Sequence, residues 1–224
     1  VTQTIFTPSP NFDDRGAQKI DHLVLHYTGM QTGGAAIERL CDPAARVSSH
    51  YVVDEDGTVY CLVDEHKRAW HAGISYWRGN RALNDRSIGI EIVNPGHEWG
   101  YRAFPEPQLA AMLDLCRGIL RRHPVPACNV VGHSDIAPDR KRDPGELFPW
   151  PWLAQNGVGL WTDEVARIGD IAADLGAIGY DTGLPLPVVL EAFQRRFLPH
   201  AITGAADAIT AGRAAAIRRL TAAD

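Results

Sequence analysis

The chain has 224 residues, of which 45% are hydrophobic and 22% charged, the balance of a folded globular protein rather than a disordered one. A formal net charge of −5 argues against bulk polyanion binding, so nucleic acid is not an expected partner. The longest uncharged stretch, Leu147 to Thr162, is broken by prolines and glycines and reads as no membrane span.

The opening VTQTIFTPSPNFDDRG has no basic head followed by an apolar run, so it reads as no secretory leader. Cys41, Cys61, Cys116 and Cys128 show no CxxC spacing and are expected as free thiols. Together these point to a cytoplasmic protein, or a periplasmic one if a leader precedes Val1. His22 to Tyr27 (HLVLHY) is a short, nearly continuous apolar strand. Tyr51 to Val63 reads as two strands joined through Asp56-Gly57, a hairpin signal. Ser87 to Val93 (SIGIEIV) alternates strictly, with Ile88, Ile90 and Ile92 on one face. Pro107 to Arg122 predicts a helix striped by Leu109, Met112, Leu113, Cys116 and Leu120. Cys128 to Val131 is a short strand running into His133.

Pro149, Pro151, Asn156, Gly157 and Gly159 then form a connector, and a boundary falls near residues 154 to 160. Beyond it the chain turns Ala-rich and predicts three short helices. Thr162 caps the first, with the stripe Val165, Ile168, Ala172 and Leu175. Pro187 opens the second, with Leu190, Phe193 and Phe197 inward, and Asp207 starts the third, burying Ile209, Ile217 and Leu220. So small a core, without disulfides, is expected to dock on its neighbour. The expected fold class is α/β: a mixed central β-sheet flanked by helices over residues 1–154, plus a small C-terminal three-helix domain over 160–224.

Three features carry chemistry. The face of SIGIEIV opposite the isoleucines presents Ser87, Gly89, Glu91 and Val93. A carboxylate there needs a cation, a proton or a catalytic task if the strand is central, and faces water if the strand is an edge. The segment GHSDIAPDRKRDPGELFPW from Gly132 reads as a loop, broken by Pro138 and Pro144, and carries His133, Lys141 and Asp143. His26 ends the first strand. By spacing alone, two readings stand. Two His and one Asp can form a hydrolytic zinc site with one position left for water, or His26 is a core residue and Asp143 caps a turn. There is no HExxH, no GxSxG and no phosphate-cradling glycine loop.

LVLHYTG, SSHYVVDEDGTVY, AWHAG, SIGIEIVN and GHSDIAPDRKRDPGELFPW, in that order over roughly residues 20 to 153, resemble the zinc-dependent N-acetylmuramoyl-L-alanine amidases. The similarity is to the bacterial anhydro-muropeptide and cell-wall branch of the phage-lysozyme-like superfamily. It implies Zn2+ as cofactor, His26, His133 and Asp143 as metal ligands, Glu91 as catalytic acid/base and Lys141 as a second catalytic residue. Phage-type members carry a Tyr just before the hairpin histidine; here that position is Ser49, before His50, so acid/base duty is expected of Glu91. The implied reaction is hydrolysis of the amide between N-acetylmuramic acid, 1,6-anhydro forms included, and L-alanine of the stem peptide. Muropeptides are thus the expected partners of a monomeric protein, and Tyr27, His50, Trp70, His71 and Asn94 are candidate substrate contacts. Trp150 and Trp152 are expected to pack. His22, His66, His97 and His123 are expected at the surface or in packing, and Arg140 and Arg142 on a solvated loop. LGAIGYDT, AFQRRFLP and DAITAGRAAAIRRL resemble the three-helix peptidoglycan-binding modules fused to such enzymes. The alternative is a peptidoglycan recognition protein that binds without cleaving; retention of all five site residues weighs against it.

Overall fold

The computed structural model describes residues 4–224; Val1 to Gln3, at the head of the segment read as no leader, lie outside the described residues. Among the described residues ten strands run in chain order: β1 (Thr4–Phe6), β2 (Phe12–Asp14), β3 (His22–Tyr27), β4 (Tyr51–Val53), β5 (Val59–Cys61), β6 (Lys67–Ala69), β7 (Tyr76–Trp77), β8 (Asn80–Arg81), β9 (Ser87–Ile92) and β10 (Val130–Gly132). The helices are α1 (Gly33–Cys41), α2 (Gly96–Trp99), α3 (Glu106–Arg122), α4 (His133–Ile136), α5 (Trp150–Gln155), α6 (Ile171–Ile178), α7 (Leu186–Phe197) and α8 (Ala208–Ala223). No helix among the described residues is long and apolar enough to cross a membrane.

The main sheet is mixed and six-stranded, in the order β1-β5-β4-β9-β3-β10, with β4, β9, β3 and β10 parallel and β5 antiparallel to β4. Strand alternation assigns its faces. Leu23, Leu25, Ile88, Ile90 and Ile92 point to one side and pack on Met112, Cys116 and Ile119 of α3 and on Trp150 and Leu153 of α5. Each of these isoleucines is 0% exposed, a burial worth about 1.5–3 kcal/mol per side chain. The opposite side starts with Val24 and Val131, which join Ile136 and buried apolar residues of α6, α7 and α8 in a second core. Glu91 and His26, paired across β9 and β3, lie on that same side, next to each other at the carboxyl ends of central parallel strands. Ligand sites of open α/β sheets favour that edge.

The connector and tail differ from expectation at named places. Trp150 to Gln155 forms α5, because Pro151 sits in its first turn, where a proline removes no helical bond. The segment after Gly132 likewise begins with a helical turn, α4, before becoming loop. Thr162 caps no helix: its hydroxyl accepts only from Glu164 N–H, while Ala166 N–H donates to Gly212 O in extended chain. The first tail helix starts at Ile171 because Asp170 accepts from both Ala172 and Ala173 N–H, which a lone hydroxyl does not match. Val165 and Ile168 are therefore more than half exposed, and Ala172 is exposed; Leu175 is buried as expected. Pro187 lies in the first turn of α7 and Asp207 caps α8 through Thr210 N–H, both as expected. On α8, Ile217 is buried but Ile209 is 59% and Leu220 36% exposed. The helix turns its small face inward instead, with Ala211, Ala214, Ala215 and Ala216 buried. All four cysteines are free.

Candidate active site

Three chain segments meet at the carboxyl edge of the sheet. His26 comes from β3, His133 opens α4 directly after β10, and Asp143 follows on the loop. Their ligand atoms converge: His26 Nδ1 lies 2.9 Å from His133 Nδ1, and both lie 3.0 Å from Asp143 Oδ2. All three residues are buried.

The outer nitrogens decide what this cluster can hold. His133 Nε2 faces only an acceptor, the carbonyl of Ala72 at 3.2 Å, so it carries the proton and Nδ1 turns a lone pair inward. The Ser87 hydroxyl donates its single proton to Leu83 O, so it accepts from His71 Nε2. A neutral His71 then accepts at Nδ1 from His26 Nε2, 3.0 Å away, and His26 Nδ1 also presents a lone pair. Burial first, then repulsion from neighbouring histidines, holds His71 well below its ordinary range, and burial and His133 hold His26 down to about 4. Burial would raise the Asp143 carboxyl, but imidazoles able to take up a proton beside it outweigh that and hold it well below its ordinary range. Two imidazole lone pairs and a carboxylate oxygen thus point at one another, an arrangement that is repulsive without a cation and suited to a divalent metal. Hydrogen-bonded outer nitrogens are how metal-bound histidines are oriented.

Glu91 lies beside this group, opposite His26 in register. Its Oε2 is buried with no hydrogen-bond partner among the described residues. Burial, reinforced by the Asp143 charge and opposed by Lys141, raises its carboxyl well above the usual range. Gly89, one step back on the same face, leaves room for the His71 ring: a Cβ there would collide with His71 Cγ.

His133 and Asp143 of the cluster open into a cleft of about 440 Å3, lined also by Tyr27, Trp70, His71, Glu91 and Lys141 among others. A second lobe adjoins it across Trp70, His71 and Lys141 and is rimmed by Arg46, Arg68 and Arg140. Of the expected substrate contacts, Tyr27, Trp70 and His71 reach the cleft. His50 and Asn94 do not. His50 is 0% exposed, with Nδ1 accepting from Gly89 N–H and Nε2 donating to Lys67 O, so it holds the sheet together. Asn94 is 1% exposed, donating to Arg102 O and accepting from Gly96 N–H behind the cleft wall.

Other residues stand elsewhere than sequence alone placed them. His97 is more than packing: Nδ1 meets the Tyr27 hydroxyl at 2.9 Å, Nε2 meets Glu146 at 3.1 Å, and the ring stacks on Tyr101. Arg140 lies on the cleft rim and donates to Ile74 O. His22, buried against Asp21, and the exposed His66 stand in packing and at the surface as expected, and His123 pairs with Glu65. Sequence reasoning missed Ser87 and the Ala72 carbonyl as supports of the histidines. The one signal for them was Gly89, an interior-strand glycine that marks close approach by another group.

Comparison with known proteins agrees with this geometry. The family model described as N-acetylmuramoyl-L-alanine amidase matches residues 16–146. N-acetylmuramoyl-L-alanine amidase AmiD of Escherichia coli is 37% identical over 230 residues, covering 89% of this chain and 82% of that protein. The 1,6-anhydro-N-acetylmuramyl-L-alanine amidase AmpD of E. coli is 36% identical, covering 64% of this chain and 86% of its own length. The structure of E. coli AmiD in complex with anhydro-N-acetylmuramic acid-L-Ala-D-gamma-Glu-L-Lys superposes with a TM-score of 0.81 at 36% identity, covering 93% of each chain. That of AmpDh3 from Pseudomonas aeruginosa also gives 0.81, at 31% identity, covering 96% of this chain and 95% of that one. With a mixed sheet of the same fold and a metal-competent His-His-Asp group in its cleft, the chain belongs to the N-acetylmuramoyl-L-alanine amidase family.

Proposed function

We propose that this amidase hydrolyses the amide between N-acetylmuramic acid, 1,6-anhydro forms included, and L-alanine of the peptidoglycan stem, using zinc held by His26, His133 and Asp143. The observation that carries the reading is the convergence of two inward lone pairs and a carboxylate oxygen beside the unpartnered carboxyl of Glu91. Relatives named for this bond, and one solved with an anhydro-muropeptide, support the substrate class. Zinc bound there would supply a Lewis acid for the scissile carbonyl and make water more acidic.

The chain's own residues do the rest. Glu91, with a carboxyl shifted upward by burial, takes the proton of the attacking water and delivers it to the departing L-alanine amine. Lys141, two residues before Asp143, brings its ammonium to the cleft and stabilises the oxyanion as the carbonyl becomes tetrahedral. Trp70 and Tyr27 offer aromatic walls suited to a sugar ring. Cleavage belongs to the amidase unit over residues 1–154. Among the described residues, none lining the cleft comes from the helical unit at 160–224.

The test is digestion of anhydro-N-acetylmuramyl tripeptide by the zinc-loaded protein, with products identified by liquid chromatography and mass spectrometry. Free anhydro-N-acetylmuramic acid and intact tripeptide are expected. Fragments cut within the stem would make it a peptidase. Binding without turnover at full metal occupancy would make it a recognition protein.

A further inference from the structure

The tail is tied to the metal-ligand turn by a buried polar cluster that the cleft itself does not use. Asp135, on α4 two residues after His133, is 1% exposed and has both oxygens occupied. Oδ1 accepts from the Tyr180 hydroxyl at 2.6 Å, and Oδ2 accepts from Arg196 Nη1 at 2.7 Å and from Gly132 N–H at 2.8 Å. Arg196 is 4% exposed, donates through Nη2 to Val130 O at 3.1 Å, and lies over the Trp150 ring at 4.1 Å. Tyr180 follows α6 and Arg196 lies on α7, so both side-chain partners of Asp135 come from beyond residue 146, where the family match ends.

The chemistry of these contacts points at α4. Asp135 caps the residue before His133, and Arg196 grips the strand that leads into it through Val130 O. Ser134 N–H in turn donates to Asp143 O at 2.9 Å. One four-residue helical turn therefore carries one metal ligand and fixes the backbone of another. A helix that short has little stability of its own, so its orientation depends on what holds it. A charge-assisted pair wholly out of water is a poor device for net stability, because desolvation consumes most of its attraction. It is a good device for direction, since both groups must meet their partners at one geometry.

From this we infer that the C-terminal helices are part of the metal-site support. Tyr180 and Arg196 are positioning residues that act through Asp135 on α4, setting the aim of His133 and Asp143 and hence the affinity of the site for its ion. The inference rests on the proposed zinc site and adds a role for the tail besides any contact with the cell wall.

The test is made on the full chain, with zinc affinity read by competition against a chromophoric chelator alongside the thermal unfolding midpoint of the metal-free protein. Arg196→Met is expected to weaken zinc binding by about 10–100-fold, the range of partners that orient metal ligands, and Tyr180→Phe by a smaller factor in the same direction. Arg213→Met is the control. Arg213 bonds Phe197 O and Asp163 O within the tail, so it is expected to lower the midpoint while leaving zinc affinity within about twofold of the parent. The double variant Asp135→Asn with Arg196→Met removes the uncompensated charge and is expected to regain midpoint without regaining affinity. It and Tyr180→Phe carry the test if Arg196→Met does not fold. Parental affinity in either of these, or equal weakening by Arg213→Met, overturns the inference. Absence of zinc binding by the parent chain instead overturns the proposed metal site, and this inference with it.

Discussion

The β3–β9 pair and the tail helices both contribute to buried cores, yet they are built by opposite rules. In the strands, every second residue is committed to one face. Ile88, Ile90 and Ile92 go to the α3 core, and Ser87, Gly89 and Glu91 go to the site, with no residue misplaced. In the tail, apolar spacing misleads: Ile209 and Leu220 are exposed, while Gln194, Arg195, Arg196, Thr210 and Arg213 are buried. Gln194 alone reaches Thr203, Ala205 O and Thr210. A strand inherits its faces from the sheet, because the period of two leaves no freedom once neighbours are paired. A short helix can rotate about its axis, and here polar anchors and small alanines set the angle.

The largest expected effects belong to the site face of the sheet. His133→Ala should lose both bound zinc and turnover, measured by metal analysis and by product release. Glu91→Ala should lower kcat by about 10^2–10^4-fold while zinc content stays at the parent value. Near-normal turnover in that variant would remove Glu91 from the acid/base role and leave the orphaned Oε2 without a task.

The tail's core comes next. Phe193 is 0% exposed among Tyr180, Phe197 and Ile178, so Phe193→Ala should cost about 3–5 kcal/mol in denaturant unfolding. Because that core includes Val24 and Val131 of the sheet, loss is expected to appear as one shared transition. Two separate transitions would show the tail to be energetically independent of the sheet, so that its helices take their angles from one another and not from β3 and β10.

Acid tests a polar cluster far from the cleft. Burial would raise the Glu65 carboxyl, but hydrogen bonds from Arg122, His123 and Tyr51 outweigh it and bring it down from 4.5 to about 2. The folded state thus binds this proton less readily than the unfolded chain. Its stabilisation is fully present above the ordinary value of 4.5 and is lost as pH falls from there toward about 2. Glu65→Gln should cost about 2 kcal/mol at neutral pH and flatten that acid slope in urea melts. An unchanged slope would show that Glu65 is not the group responsible. The smallest effect sharpens the helix orientation: Ile209→Ser should change stability by less than about 0.5 kcal/mol, whereas Ile217→Ala, on the buried side, should cost about 2–5 kcal/mol.

Much of the site is legible in the order of residues along the chain. His26 and Glu91 can be placed because each sits on a strand with a readable period, and His133 because it follows one. Lys141 and Asp143 are legible from a long motif. The supports are not. His71 touches His26 only because Gly89 leaves a gap between Ser87 and Glu91, and residues 71 and 87 meet across a separation that spacing does not reveal. His50, in an equally suggestive motif, is spent on Gly89 N–H and Lys67 O, and nothing local distinguishes it from a substrate contact. Thr162 and Asp170 both have the chemistry of a cap, and the helix starts at the residue whose carboxylate accepts from two N–H groups.

The sequence by itself determined the alternating faces of β9, the hairpin, α3, and the residue types that make a hydrolytic metal site chemically possible. Those follow from local period and from side-chain chemistry, which need no knowledge of neighbours. Tertiary structure alone decided which histidines turn lone pairs inward, which way α8 faces, and that Arg196 and Tyr180 reach back to Asp135 on the turn that begins with His133. Each of these depends on contacts between residues tens of positions apart, where hydrogen-bond direction and packing, not pattern, set the outcome.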